Sequence, residues 1–144
     1  MMANLYLVIH LPVLPAWLML ILLPEAKATR RLVHSGLIPL LMGAVYAVFL
    51  TAGVVFGQAA EGAGMGSLAG IMALMSHPVG ALTGWAHFLV FDLFVGAWIA
   101  RDARAQGFGH AGTVPVLLLT LVFGPLGLAA HVLRRLIAGK GMAF

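Results

Sequence analysis

Charge is scarce in this chain and cysteine is absent. Of its 144 residues only 8% are charged, where a soluble domain of this size carries about a quarter. Without that polar surface most of the exterior must face lipid, and at 62% hydrophobic residues and mean hydropathy +1.08 the composition agrees. The lack of cysteine excludes disulfides, thiolate metal sites and a cysteine nucleophile. A basic region ahead of the first apolar run is also missing, as is an Arg/Ser-rich leader. The stretch from Asn4 is therefore expected to be a retained span rather than a targeting segment. Lysine occurs once in the first hundred residues while Ala, Gly, Leu and Arg abound, which points to a GC-rich bacterial genome and an inner-membrane location.

What charge there is clusters. The net charge of +4 comes from eight Lys/Arg against four Asp/Glu. The positives stand in short runs beside apolar stretches, where topology signals and headgroup contacts belong, so nucleic acid is not an expected partner. A spanning helix needs roughly 20 apolar residues. The predicted fold is one all-α integral membrane domain over 1–144, a bundle of four transmembrane helices at about 4–23, 35–56, 78–100 and 113–132. Pro12 and Pro15 are expected to kink the first. Ser35 is a candidate N-cap for the second, and Pro78 suits the first turn of the third. Between spans two and three, Leu68 to Met75 is apolar but too short to cross, and reads as an interfacial or re-entrant segment.

The loop after span one holds Lys27, Arg30 and Arg31, the loop after span three holds Arg101 and Arg104, and the loop between spans two and three holds no Lys or Arg. The positive-inside rule then places the N-terminus outside. Arg134, Arg135 and Lys140 conflict with this, because a fourth crossing carries them outside as well. Either the chain turns back at Gly124-Pro125 or the early loops outvote the tail; the second alternative is preferred.

Span three contains Asp92 near its centre. An aspartate there costs about 2.5–3.5 kcal/mol on the translocon scale, and the ten Val, Leu, Ile and Phe of this span offset it by about 3–6 kcal/mol. The helix still inserts, but the acid needs a reason to be there. Low dielectric penalises the anion, so a protonated or hydrogen-bonded carboxyl is expected. Its bland role is a bond to a neighbour such as Tyr46 or Thr51; its functional role is a site, the usual meaning of an intramembrane ionisable group. His87 lies five positions earlier, about 140° around the helix, so the two flank a cavity rather than forming one stripe. Trp85 and Phe88 share the Asp92 face. With Trp98 and His77 they are candidate substrate contacts, beside His87 and Asp92 as candidate catalytic groups.

No histidine pair has metal-site spacing, and no metal is expected. Four scattered histidines, His10, His77, His87 and His131, leave an alternative in which two ligate a haem, with His10, His77 and His131 expected in one leaflet. A third reading is a structural subunit whose polar residues only join helices. A homo-oligomer is compatible with all three.

The run His77-Pro78-Val79-Gly80-Ala81-Leu82, then Trp85-Ala86-His87, Asp92-Leu93-Phe94, Ala100 to Asp102, and Phe123-Gly124-Pro125-Leu126-Gly127 ahead of His131 resembles the neoxanthin synthase (abscisic-acid-deficient) family and its bacterial relatives. The resemblance covers mainly residues 70–135. It implies a four-helix membrane protein acting on a carotenoid, in plants the isomerisation of the violaxanthin epoxide to the allenic alcohol of neoxanthin. That reaction involves no net redox change and requires no cofactor. One acid must protonate the epoxide oxygen and one base must take a proton from the adjoining polyene carbon. Asp92 and His87 suit these roles in either order. Violaxanthin is uncommon in bacteria, so the expected substrate is a carotenoid or related isoprenoid, changed by isomerisation or oxidation.

Overall fold

The computed structural model describes residues 2–142, and among them every regular element is helical. The chain runs through α1 (Met2–His10), α2 (Val13–Leu22), α3 (Lys27–Leu32), α4 (Leu37–Val54), α5 (Leu68–Ser76), α6 (Pro78–Ala105), α7 (His110–Val122) and α8 (Gly124–Ile137). Three stretches are long and apolar enough to cross a membrane: Met2–Leu22, Leu37–Val54 and Pro78–Ala105. The first combines α1 and α2, separated at Leu11-Pro12 where proline removes a donor and breaks the ladder.

Local chemistry explains the boundaries. Ser35 Oγ accepts from the Leu37 amide just ahead of α4, so it caps from one position before the Gly36 N-cap. Ser67 caps α5 by accepting from the Gly70 amide at 3.0 Å. His77 ends α5 and caps α6, its Nδ1 accepting from the Val79 amide, with Pro78 in the first turn. The expected short segment at Leu68 to Met75 is thus a helix that turns a corner into the central span. α6 continues five residues past the expected end at Ala100: Arg101 and Arg104 face outward while Asp102 and Ala103 face the packed side of the last turns.

α6 is the hub. At about 42 Å it packs against α1, α2, α4, α5, α7 and α8. Trp17 of α2, 2% exposed, lays its ring over Gly96, where any side chain would collide with it. The core built on this axis includes Val13, Leu20, Met42, Phe49, Ala86, Leu93, Ile99 and Leu117. Leu7, Leu11, Leu22, Leu40, Val48 and Val54 are largely exposed. An exterior of that kind is at ease only against acyl chains or other apolar surface.

The segment expected as a fourth span departs from expectation. Residues 113–132 do not form one helix: α7 is about 20 Å long, short of the roughly 30 Å hydrocarbon thickness, and Phe123-Gly124-Pro125 reverses the chain. Pairings show the reversal. Gly127 packs against Thr120, and Arg134 reaches back to Gly112 and Thr113, so α8 runs antiparallel to α7. Asp92 meets Gly124 and Asp102 meets His131 and Arg135, so α8 runs parallel to α6. The hairpin therefore returns to the end it left. All eight Lys and Arg of the sequence lie at that end, beside the last turns of α2 and α6. The conflict over the C-terminal positives disappears, and the alternative in which the chain turns back is the one observed.

The face α8 buries is unusual. Its inward stripe is Gly124, Gly127, His131 and Arg135, while Leu126, Leu133, Leu136 and Ile137 point outward. A soluble amphipathic helix has the opposite arrangement; here the polar side is inside and the apolar side faces the surroundings. Close approach at the hairpin tip depends on glycine. A Cβ at Gly127 would lie 2.5 Å from both the amide nitrogen and the Cα of Thr120, backbone that cannot rotate away. Gly127→Ala is expected to splay the hairpin and destabilise the detergent-solubilised protein by about 1–3 kcal/mol, read as a lower thermal midpoint; an unchanged midpoint would contradict the tight α7–α8 contact.

Candidate functional site

Asp92 sits midway along α6 and faces the hairpin tip. Its carboxyl group fills the space where a Gly124 side chain would stand, and no hydrogen bond engages it among the described residues. Gly124 is the first residue of α8; Pro125 after it has no N–H, and the Leu126 and Gly127 amides both donate to the Phe123 carbonyl. The acid is thus packed against the backbone of the hairpin tip, and no cation among the described residues pairs with it. Tyr46 and Thr51, the expected bland partners, do not bond to it. One turn further along the same α6–α8 seam, Phe94, Val95, Trp98 and Leu128 line an apolar groove of about 230 Å³.

His87 faces elsewhere. Its ring lies 4.6 Å from Phe91 and 6.0 Å from Tyr46 of α4, on an exposed part of α6. Phe88 meets it edge-on. His87 and Asp92 thus have different neighbours, α4 for one and α8 for the other, and do not flank the one cavity expected of them; their offset of about 140° turns them to different sides of α6. Trp85 belongs to a third cluster, donating from Nε1 to His10 Nε2 at 3.1 Å. His10 Nδ1 in turn bonds the Tyr6 carbonyl at 2.6 Å. That pair of bonds defines a neutral imidazole protonated on Nδ1. His77 caps α6, as described above.

The densest polar constellation is one that sequence reasoning did not assemble. Asp102, at the end of α6, accepts from His131 Nε2 at 2.7 Å and from Arg135 at 3.0 Å. Arg134 Nε donates to His131 Nδ1 at 2.9 Å, and its Nη1 bonds the Gly112 carbonyl and Thr113. Guanidinium groups only donate, so His131 is neutral and carries its proton toward Asp102. Trp98 stands edge-on to this imidazole at 5.1 Å, and Arg134 stacks on Phe108 at 4.6 Å. His131 is fully buried and Arg135 is 3% exposed. The available clue was His131 and Arg135 one turn apart on the face that also carries Gly124 and Gly127.

The haem alternative loses its geometry. His10 and His131 have both ring nitrogens engaged. His77 and His87 lie ten residues apart on one helix, about 15 Å along its axis, too far to share an ion. The expected common leaflet is also corrected: His131 returns with the hairpin to the basic end, whereas His77 starts α6 at the opposite end. Among the described residues no group of three His, Asp or Glu could hold a metal.

Beside the polar network opens a cavity of about 350 Å³ between the end of α2, α3, the end of α6 and the start of α7. Arg30, His34, Arg101, Arg104, His110 and Glu25 give it its polar character. Burial, with Arg101 adjacent, holds the His34 imidazole below its ordinary value of 6.5, Glu25 opposing; it is therefore a neutral acceptor for Arg101 at 3.2 Å.

Comparison with known proteins gives two findings. The family model described as ABA DEFICIENT 4-like matches residues 4–131. The chloroplastic protein ABA DEFICIENT 4 of Arabidopsis thaliana is 24% identical over 132 residues, covering 87% of this chain and 57% of that protein. The chain thus spans a little over half the length of this curated relative. No solved structure matches.

Proposed function

This chain belongs to the ABA DEFICIENT 4-like family, and on that footing we propose that it is a membrane protein that converts a carotenoid or related isoprenoid, with Asp92 as its proton-transfer group. The observation that carries the reading is the position of Asp92: mid-helix, without a side-chain partner among the described residues, held against Gly124 and about one turn from the apolar groove of Phe94, Val95, Trp98 and Leu128. A long polyene has no water-soluble route to such a place, but the groove is open laterally, so a substrate dissolved in lipid reaches it without leaving the bilayer.

An acid/base isomerisation balances on this residue. One carboxyl oxygen donates a proton to the substrate oxygen as its carbon–oxygen bond breaks, and the other oxygen accepts the proton released from carbon. The carboxyl group ends as it began, and no electrons are exchanged. His87, flanked by Tyr46, Phe88 and Phe91 on the α4 side, fits a contact to the far portion of a long substrate, or a second proton-transfer group for a polyene that wraps α6.

In this reading α1–α2, α4 and α6 cross the bilayer, and α7–α8 is a re-entrant hairpin entering from the basic side to about mid-depth. The positive-inside rule puts that side in the cytoplasm and the N-terminus opposite.

Pigment analysis of a carotenoid-producing bacterium with and without this chain tests the function. Expression is expected to shift carotenoid composition, and Asp92→Asn is expected to abolish the shift while the protein accumulates normally. Loss of a general acid/base typically costs 10²–10⁴-fold in rate, which would reduce the product below detection. Full conversion by Asp92→Asn would refute the assignment. His87→Ala separates the roles of His87: partial conversion indicates a binding contact, whereas complete loss indicates a second proton-transfer group.

A further inference from the structure

The cavity at the basic end has no part in the pigment chemistry, and its composition is specific. Three guanidinium groups, Arg30, Arg101 and Arg104, converge on it with one carboxylate, Glu25. Glu25 pairs with Arg104. Arg30 has a single bond to the Glu25 carbonyl, at 3.0 Å, and Arg101 a single bond to neutral His34. Each guanidinium has five N–H donors in a planar fork, so most of the donor capacity at the cavity is not used within the chain, and net positive charge remains.

A second observation points the same way. Arg134 is bonded to Thr113 and stacked on Phe108, both lining residues, and its Nη2 is buried without a partner. Arg134 is not itself a lining residue; it adds a further positive charge behind the Thr113 and Phe108 wall. The rest of the lining includes Ala100, Ala103 and Phe108, an apolar wall beside the cations. The location is where α2 and α6 end, the depth of the phosphate layer for helices of this length.

We propose that this cavity binds the phosphate of a lipid, its oxygens on Arg30, Arg101 and Arg104 and its chain against Ala100, Ala103 and Phe108. Arginine forks match phosphate oxygens bidentately. Two kinds of molecule present this chemistry: an anionic membrane phospholipid and a phosphorylated isoprenoid. The site is independent of the Asp92 reading and survives its failure.

The test is binding to the full chain in nanodiscs of phosphatidylcholine, titrated with phosphatidylglycerol or with geranylgeranyl diphosphate. Preference for phosphatidylglycerol assigns the site to bilayer lipid; preference for the diphosphate assigns it to a phosphorylated isoprenoid. In either case Arg30→Gln and Arg101→Gln are each expected to weaken binding roughly tenfold, the scale of one charged hydrogen bond. Lys27→Gln and Arg31→Gln, which alter the same surface charge outside the lining, are expected to leave it within twofold. Arg30 and Arg101 are exposed, so the thermal midpoint of each variant should match the parent and show that the fold is retained. Equal loss in the lining and non-lining variants, or no binding of either lipid above phosphatidylcholine, would overturn the proposal.

Discussion

Replacement of Asp102 by alanine is expected to be the most damaging single change in this protein. The carboxylate bonds His131 and Arg135 at once, with side-chain exposures of 0% and 3%. Removing it takes the carboxylate away from a buried cation and from the N–H of a buried imidazole. Breaking one side of a buried pair costs about 3–5 kcal/mol, a large share of the roughly 5–15 kcal/mol that holds a domain folded. The expected measurement is a collapse of yield after detergent extraction and a much lower thermal midpoint for Asp102→Ala. The double variant Asp102→Ala with Arg135→Met should recover part of the loss, because an apolar residue removes the buried charge. A single variant as stable as the parent would show that the pair carries no weight.

The second large effect is all-or-none and concerns the hairpin. Because the chain has no native cysteine, single cysteines report cleanly. Cysteines at Ala28, Ala105 and Ala138 are all expected to react with a membrane-impermeant thiol reagent from one side of the bilayer, and one at Ala59 only from the other. A fourth crossing would place position 138 with position 59 instead, so the label at 138 decides between the two topologies. The same end carries all the Lys and Arg of the sequence, which the positive-inside rule requires to be cytoplasmic.

Much of the fold was legible in the residues. The central span announced itself by apolar length and Pro78, the break at Pro12 by ring chemistry, and the short helix at Leu68–Ser76 by a hydrophobic run too brief to cross. The hairpin was not legible in the same way. A Gly-Pro break reads alike whether the chain continues or reverses, since the local backbone chemistry is the same and the choice is made by distant packing of Gly124 on Asp92 and Gly127 on Thr120. Only the charge count conflicted with a fourth crossing, and it was outweighed. The buried triad escaped for a related reason. Asp102 next to Arg101 looks like a helix stop facing water, and nothing within 28 residues of it discloses that His131 and Arg135 will arrive to enclose it. Asp92 was visible as an energetic anomaly, but its partner is a glycine backbone, which leaves no side-chain pattern to read.

The order in which the chain is made gives the parallel packing of α8 on α6 a further meaning. Both acids of the central span are covered by residues that follow Phe123, so when α6 first enters the bilayer Asp92 and Asp102 lack their eventual surroundings. At about 5–20 residues per second, the 32 residues between Ala105 and Ile137 take roughly 2–6 s to emerge. For that interval the Asp92 carboxyl group lacks the Gly124 backbone that later covers it, and Asp102, at the basic end, lacks its two donors. The last helix synthesised then acts as a closure, and a chain that ends before it would leave both acids uncovered.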